Sequence, residues 1–301
     1  MPAIGQNPGI HLDTVIFATD FSPASYNAGL YASAVSKHFG TKLAVAHGFT
    51  LLQAALEVEV GDLKPSQQRI DLTRYLRLCS ELLIAGRDTT EPVLLEGDPA
   101  EVIPELALRR SPAITVLGTH GGGSVDRFLL GSTAEGILRH SSGPTLTVGP
   151  RVDILQAGAL NIRRILYATD CTVEAAHAAP VATALAGAFS ADLDVLNVVS
   201  LSQVNHPEQL HRVQEHFYGA IEAIMPMDAA QICKPCTYVS VGRPHQEILR
   251  HVDERAIDLL ILGLRRSAYL GMQNRTSGAF PIIVEARCPV IAVASGSVQG
   301  N

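Results

Sequence analysis

The sequence has no basic excess and no long apolar run. It contains 23 lysines and arginines against 29 aspartates and glutamates, with a net charge of −6 and a pI of about 6.0. Proteins that bind nucleic acid usually carry a basic patch, so nucleic acid is not an expected partner. No apolar stretch reaches the roughly 20 residues of a membrane span, and the first residues lack the pattern of a secretory signal. We therefore expect a cytoplasmic protein without a membrane partner.

Cysteine is scarce as well. The five cysteines are an odd number, which argues against a disulfide framework. Cys233 and Cys236 have the spacing of a redox motif, but they precede a predicted strand, whereas a reactive pair of this kind usually opens a helix. A zinc site is less favoured, because no second pair of cysteines or histidines has ligand spacing. The other three cysteines are interpreted as small core or surface residues.

Two common phosphate-binding motifs are missing, but a third glycine pattern is present. Neither G-x4-G-K-[ST] nor G-x-G-x-x-G occurs. Residues 118–133 instead read GTHGGGSVDRFLLGST, between an apolar strand-like stretch and a helix-like stretch. Glycines at such a junction let the backbone approach an anion, and the unpaired N–H groups of the following helix start point at it. A glycine-rich loop that binds nothing remains the alternative.

The chain repeats itself. Asp20 in the run ATD returns as Asp170, shifted by 150 residues, and Gly118 returns as Gly263, shifted by 145. These shifts indicate a duplicated domain of about 145 to 150 residues, which is an ordinary domain size. We expect a first domain at residues 1–150, a linker at 151–162 and a second domain at 163–301.

Each copy alternates short β-branched runs with longer amphipathic stretches, which predicts an α/β fold. Right-handed crossovers give two tandem doubly wound domains, each with a five-stranded parallel sheet of order 3-2-1-4-5 flanked by helices. The ligand crevice then lies between strands one and four. The first helix should span 23–39, and Pro104 should shorten or kink the third. The predicted strands are 13–19, 42–49, 92–96, 113–118 and 145–149, then 163–169, 193–199, 237–241, 257–263 and 290–294.

The run Ala18 to Ser22, the strand 43–49 with its His47, and the glycine pattern of residues 118–133 together resemble a tandem universal stress protein. The resemblance covers nearly all of both halves and implies ATP as the ligand, with Mg²⁺ or Mn²⁺ as an accompanying ion. Carried over residue by residue, it implies that Asp20 and Gly48 contact the nucleoside. It also implies that the ribose and the phosphates are contacted by Gly118, His120, Gly121, Gly131, Ser132 and Thr133. Asp20 has an alternative interpretation as a turn residue that only bonds its own backbone.

The second half departs from this pattern. Asp170 is kept, but Arg266 replaces the second glycine and Thr276 the third. Arg266 would obstruct the phosphate path, and Thr276 would resist a positive φ. We expect a degenerate half, although Arg265 and Arg266 could hold a different phosphate ligand.

Three functions remain open at this point. The first is an ATP-binding stress or signalling module whose nucleotide state is read by an unknown protein partner. The second is a weak ATPase or autophosphorylating enzyme, disfavoured because only Asp126 lies within the loop as an acid. The third is a nucleotide-free scaffold. An edge strand must be paired or covered, so we also expect an intrachain pseudo-dimer through the last strands, with a homodimer possible.

Overall fold

The computed structural model describes residues 11–50, 65–83, 90–120, 129–155, 159–200, 207–264 and 278–294. The chain divides into two compact units, one spanning Leu12–Leu160 and the other beginning at Asn161. None of the helices in these ranges combines the length and the apolar character of a membrane span.

The first unit is a parallel sheet of order β3-β2-β1-β4-β5, with helices between successive strands. Because β1 pairs with both β2 and β4, the strand order reverses between strands one and four, where the sequence predicts the ligand crevice. The elements of this unit are β1 (Thr14–Ala18), α1 (Pro23–Phe39), β2 (Lys42–Phe49), α2 (Pro65–Leu83), β3 (Thr90–Glu96), α3 (Pro99–Arg109), β4 (Ala113–Gly118), α4 (Ser132–His140) and β5 (Pro144–Val148).

The second unit repeats the pattern, since β6 pairs with β7 and β9, β7 pairs with β8, and β9 pairs with β10, all in parallel. The duplicated α/β fold predicted from the sequence is therefore confirmed. The elements are β6 (Arg164–Ala168), α5 (Val173–Ala176), α6 (Ala178–Phe189), β7 (Asp192–Val199), α7 (Pro207–Ile224), α8 (Ala229–Ile232), β8 (Cys236–Val241), α9 (Pro244–Glu254), β9 (Leu259–Leu264), α10 (Ala279–Glu285) and β10 (Val290–Ala294).

Helices cover both faces of the first sheet. Alternate strand residues point to opposite sides, and apolar residues on both sides pack against helices. Ile16 of β1 is fully buried in a cluster with Ile103 of α3 and Ile137 of α4. Its neighbour Phe17 lies on the other side, close to Gly29 of α1. The sheet is thus the middle of three layers.

Helix α1 has the predicted bounds for local reasons. Ser22 caps its start by accepting a hydrogen bond from the Ser25 N–H, and Pro23 supplies a helix-ready first residue. Gly40 ends it with φ of 66°, a left-handed conformation that glycine adopts without strain.

Helix α3 continues past Pro104 to Arg109, so the shortening expected from the proline does not occur. Pro104 has no N–H to give to the Ala100 carbonyl one turn earlier. The Nδ1–H of His140 in α4 donates to that carbonyl instead, at 3.1 Å. The neighbouring helix therefore supplies the hydrogen bond that proline removes.

Segment 151–162, predicted as a linker, begins with residues that contact the first unit. The side-chain amide of Asn27 on α1 donates to the Val152 carbonyl at 3.3 Å, and the Tyr31 hydroxyl donates to the Asp153 carbonyl at 3.3 Å. Val152 is buried. These residues fold as part of the first unit.

Candidate functional site

The candidate site is the region where β2, β1 and β4 end side by side in the first unit. Asp20 follows β1, Gly48 is near the end of β2, and Gly118 is the last residue of β4. The described start of α4 follows the glycine-rich loop that leaves β4. The sheet order therefore brings together three strand ends and one helix start that are far apart in sequence.

Asp20 is exposed at this edge, and its side chain bonds the backbone of its own turn. Its Oδ1 accepts a hydrogen bond from the Ser22 N–H at 3.0 Å. The turn also contains Phe21 with φ of 61°, whose N–H donates to the Thr19 hydroxyl at 3.0 Å. The second carboxylate oxygen, Oδ2, makes no hydrogen bond within the described part of the chain. The turn therefore aims a carboxylate outward and leaves one oxygen for a donor.

An aromatic group borders the same edge, and sequence reasoning did not single out its members apart from His47. The rings of Phe21 and His47 have centroids 4.5 Å apart, and Tyr75 of α2 is 6.1 Å from Phe21. Apolar faces beside a free carboxylate oxygen suit a flat polar base. The signal available in the sequence was Phe21 itself, which follows the aspartate directly.

Gly48 and Gly118 both meet helices at close range. A methyl group added to Gly48 would lie 2.9 Å from the Pro99 Cα at the start of α3, and one added to Gly118 would lie 3.3 Å from the Ala24 main-chain oxygen in α1. In the second unit, Gly263 stands in the same relation to Ala175, with a distance of 2.5 Å to its Cα. Strand-to-helix packing thus accounts for these glycines, and their contacts with a nucleotide stay predictions.

The described ends of the glycine-rich loop are held together. The Gly131 N–H donates to the Thr119 carbonyl at 2.9 Å, and the Thr119 hydroxyl is 2.8 Å from Nδ1 of His120. Thr119 is buried. Gly121, the second glycine of the motif, lies outside the described residues. The closure sets the start of α4 beside the end of β4.

The start of α4 has no side-chain cap. Gly131 is the N-cap residue, and it has no oxygen to accept from the first-turn N–H groups. Its φ of −61° and ψ of 143° are open to any residue. The expectation that this position needs a positive φ, which Thr276 would resist in the second half, is therefore wrong. Ser132 and Thr133 follow Gly131 and are exposed. The N–H groups and hydroxyls of this turn fit an anion, and the helix dipole favours one.

The equivalent edge of the second unit is similar but more internally bonded. Oδ1 of Asp170 accepts from both the Thr172 N–H, at 3.1 Å, and the Thr172 hydroxyl, at 2.6 Å. Cys171, with φ of 59°, stands where the first unit has Phe21. The residue that follows the aspartate at this edge is therefore not aromatic. Arg265, Arg266 and Thr276 lie outside the described residues.

In the described ranges, no group of three or more histidine, cysteine, aspartate or glutamate side chains could hold a metal ion. All five cysteines are free thiols.

Comparisons with known proteins agree with the duplicated organisation. A model of the universal stress protein family matches residues 11–149 and 161–294. A universal stress protein of Thermus aquaticus is 26% identical over 135 residues, which are 45% of this chain and 97% of that protein. A universal stress protein of Methanocaldococcus jannaschii is 28% identical over 140 residues, which are 44% of this chain and 80% of that protein.

Among solved structures, a universal stress protein from Archaeoglobus fulgidus matches with a TM-score of 0.69 at 20% identity, and the match covers 94% of this chain and 98% of that one. A similarity at this level of identity concerns the fold.

Proposed function

The chain belongs to the universal stress protein family, and on that premise we propose that its first unit binds ATP and signals through its nucleotide-bound state. One observation carries the proposal: Oδ2 of Asp20, which makes no hydrogen bond with the described residues, and the uncapped start of α4 lie at the ends of the neighbouring strands β1 and β4. The carboxylate is an acceptor for a nucleoside, and the helix start is a donor set for phosphate.

The nucleoside would lie on the β1 and β2 side of the crevice. Asp20 accepts from a ribose hydroxyl or from the exocyclic amine of adenine, and Phe21 with His47 offers ring faces for the base. Gly48 and its neighbours supply backbone groups. Guanine carries a carbonyl where adenine carries the amine, so we expect ATP to be preferred over GTP.

The phosphates would lie on the β4 and α4 side, near Gly118, His120, Gly121, Gly131, Ser132 and Thr133. The N–H groups of the first turn of α4 lack intrahelical partners and can bind phosphate oxygens. Mg²⁺ or Mn²⁺ would be held largely by the triphosphate.

In this signalling role, the ATP-bound chain acts on a partner protein, and ATP is either not hydrolysed or hydrolysed slowly. Two alternatives stay open in the same site: a weak ATPase or autophosphorylating activity, and a scaffold without nucleotide. Intrachain pairing through β5 and β10, a homodimer and the cytoplasmic location also stay predictions.

Mass spectrometry of the small molecules released when the purified protein is denatured tests the proposal. ATP in an amount near one per chain supports it, together with tighter binding of ATP than of GTP in calorimetry. Steady conversion of ATP to ADP by the wild type, lost in a Gly131→Val variant, would identify the enzyme. If the protein neither co-purifies with a nucleotide nor binds one that is added, only the scaffold function remains.

A further inference from the structure

Three of four equivalent positions differ in residue type between the two units, where α3 packs on the sheet in the first and α9 packs on it in the second. In the first unit, Ala44 of β2 and Leu106 of α3 are buried in the apolar core. At the edge of the sheet, the two terminal nitrogens of Arg110 donate to the two carboxylate oxygens of Glu91, at 2.5 and 2.8 Å. The first unit therefore keeps its ion pair outside the core.

The second unit brings an ion pair inside. Asp194 stands where the first unit has Ala44, and its side chain is 5% exposed. Nε2 of His251, at the position of Leu106, is 3.0 Å from Oδ2 of Asp194. Nε of Arg255, the equivalent of Arg110, donates to the same oxygen at 3.2 Å. A buried carboxylate is costly unless it is paired, and here two basic side chains pair it.

These changes leave a thiol beside an arginine. Cys236 occupies the position of Glu91, and its Cα is the register partner of Asp194 in the β7–β8 pair. Register partners share a face of the sheet, and so do residues two apart on one strand. Cys236 therefore lies on the face that carries Asp194 and Tyr238, the face covered by Arg255.

Arg255 is available to an anion at this place. Its guanidinium lies 5.5 Å from the centre of the Tyr238 ring, and its side chain is 46% exposed. Only Nε is used by Asp194, and the two terminal nitrogens make no hydrogen bond within the described ranges. In the first unit, the same two nitrogens of Arg110 hold the carboxylate that Cys236 replaces.

The four other thiols are poor competitors for an oxidant at neutral pH. Burial raises the pKa of Cys79, raises the pKa of Cys171 and of Cys233 to about 11, and raises the pKa of Cys288 to about 12. Cys236 is the exposed member of the set. The thiolate is the reactive form, so oxidation should concentrate at Cys236.

We propose that Cys236 is a hydroperoxide-oxidisable thiol, that Arg255 stabilises its anion, and that Cys233, which ends α8 three positions before Cys236 begins β8, converts the product into a disulfide. The Cys236 thiolate attacks one oxygen of a hydroperoxide; the S–O bond forms, the O–O bond breaks, and the leaving oxygen takes a proton to give water or an alcohol. The Cys233 sulfur then attacks the sulfenic acid; the S–S bond forms, the S–O bond breaks, and water leaves with the Cys233 proton. The two thiols lose two electrons, and the hydroperoxide gains them.

Hydrogen peroxide and the full-length protein test this directly. Peptide mass spectrometry should show loss of two hydrogens from the peptide that joins Cys233 and Cys236, restored by a thiol reductant. In a Cys233→Ser variant, Cys236 should instead be trapped as a sulfenic acid by dimedone. With iodoacetamide at pH 7, Cys236 should react at least about tenfold faster than Cys79 or Cys171.

Arg255→Gln removes the charge but keeps a donor for Asp194, and it should slow alkylation of Cys236 by about three- to tenfold. Arg110→Gln, the matched change in the first unit, should leave that rate unchanged. If Arg255→Gln fails to fold, the wild-type rate should fall with added salt, which screens an exposed guanidinium. Equal reactivity of Cys236 and Cys79, or a rate insensitive to both Arg255 and salt, overturns the proposal.

Discussion

The Nδ1–H of His47 donates a 2.7 Å hydrogen bond to the main-chain carbonyl of Thr19 and so ties the end of β2 to the end of β1. The second unit makes the same link with a different residue, since the side-chain amide of Asn197 donates to the Thr169 carbonyl at 2.9 Å. This carbonyl is therefore already occupied in both units. Asp20 is left as an outward acceptor at the end of β1.

Replacing His47 should show what this link contributes. His47→Asn introduces the residue type that makes this link in the second unit, and it should change the free energy of unfolding by less than about 0.5 kcal/mol. His47→Leu leaves the Thr19 carbonyl without its donor and should cost about 1 to 2 kcal/mol. Urea denaturation measures both. Equal losses for the two variants would show that the imidazole ring, and not the hydrogen bond, matters here.

Asp20 should contribute to nucleotide affinity through its charge. Asp20→Asn keeps an oxygen for the Ser22 N–H and hence the turn, but it removes the carboxylate that a ribose hydroxyl or adenine amine would meet. Asp20→Ala removes both and should weaken ATP binding by about 1 to 3 kcal/mol. Calorimetry should rank the affinities as wild type, then Asn, then Ala. Asp170→Asn in the second unit is the control, and an equal loss there would contradict the assignment of the site to the first unit.

Gly131→Val should remove most ATP binding without unfolding the protein. The φ and ψ of Gly131 suit valine, so the backbone can stay in place while a branched side chain enters the phosphate path. The expected result is a loss of at least about tenfold in affinity, from a wild-type stoichiometry of one ATP per chain. Thermal unfolding checks the fold. Two equivalent sites in the wild type, or normal binding by the variant, would show that the second unit also binds.

The free energy of unfolding should depend on pH through Asp194. Burial by itself raises the pKa of Asp194, but hydrogen bonds from His251 and Arg255 outweigh it and hold the pKa below its ordinary value of 3.8. A group with a lowered pKa in the folded state stabilises the fold above its unfolded pKa, and this contribution is lost as the pH falls through the folded value. Asp194→Asn should therefore cost about 3 kcal/mol near pH 7.

The difference between this variant and the wild type should shrink once the pH falls below about 4. Denaturant unfolding at a series of pH values measures it. Asp192→Asn, an exposed position on the same strand, is the control and should have little effect at any pH. A difference that stays constant down to pH 2 would mean that the ionised carboxylate is not what stabilises the fold.

Much of the fold could be predicted because its signals are local. Ser22, Pro23 and Gly40 fix the ends of α1 within the reach of single residues. Strand positions followed from apolar runs and from the repeat, and the predicted strands overlap the observed ones. The shortening expected from Pro104 does not occur, because His140, a donor 36 positions away that no local pattern reveals, bonds the carbonyl that the proline leaves without its partner.

The site was predicted less completely, because its geometry depends on pairs of distant residues. Asp20 and Gly118 were placed on one crevice by topology alone. The contact of Phe21 with Tyr75 joins two elements whose relative placement the sequence does not state. The pair of Asp194 and His251 spans 57 positions. Comparing the two copies position by position would have exposed it, since an aspartate and a histidine both fall where the other copy has core residues.

That pair also bears on what the first unit could accept at the same positions. Arg110 and Arg255 are equivalent, so a basic side chain at this place is common to both copies. In the first unit, however, both terminal nitrogens of Arg110 are taken by Glu91, whose register partner is Ala44. A carboxylate grafted at Ala44 would therefore meet an arginine that is already paired and a second carboxylate opposite it, so the second unit's arrangement cannot be transferred to the first one residue at a time.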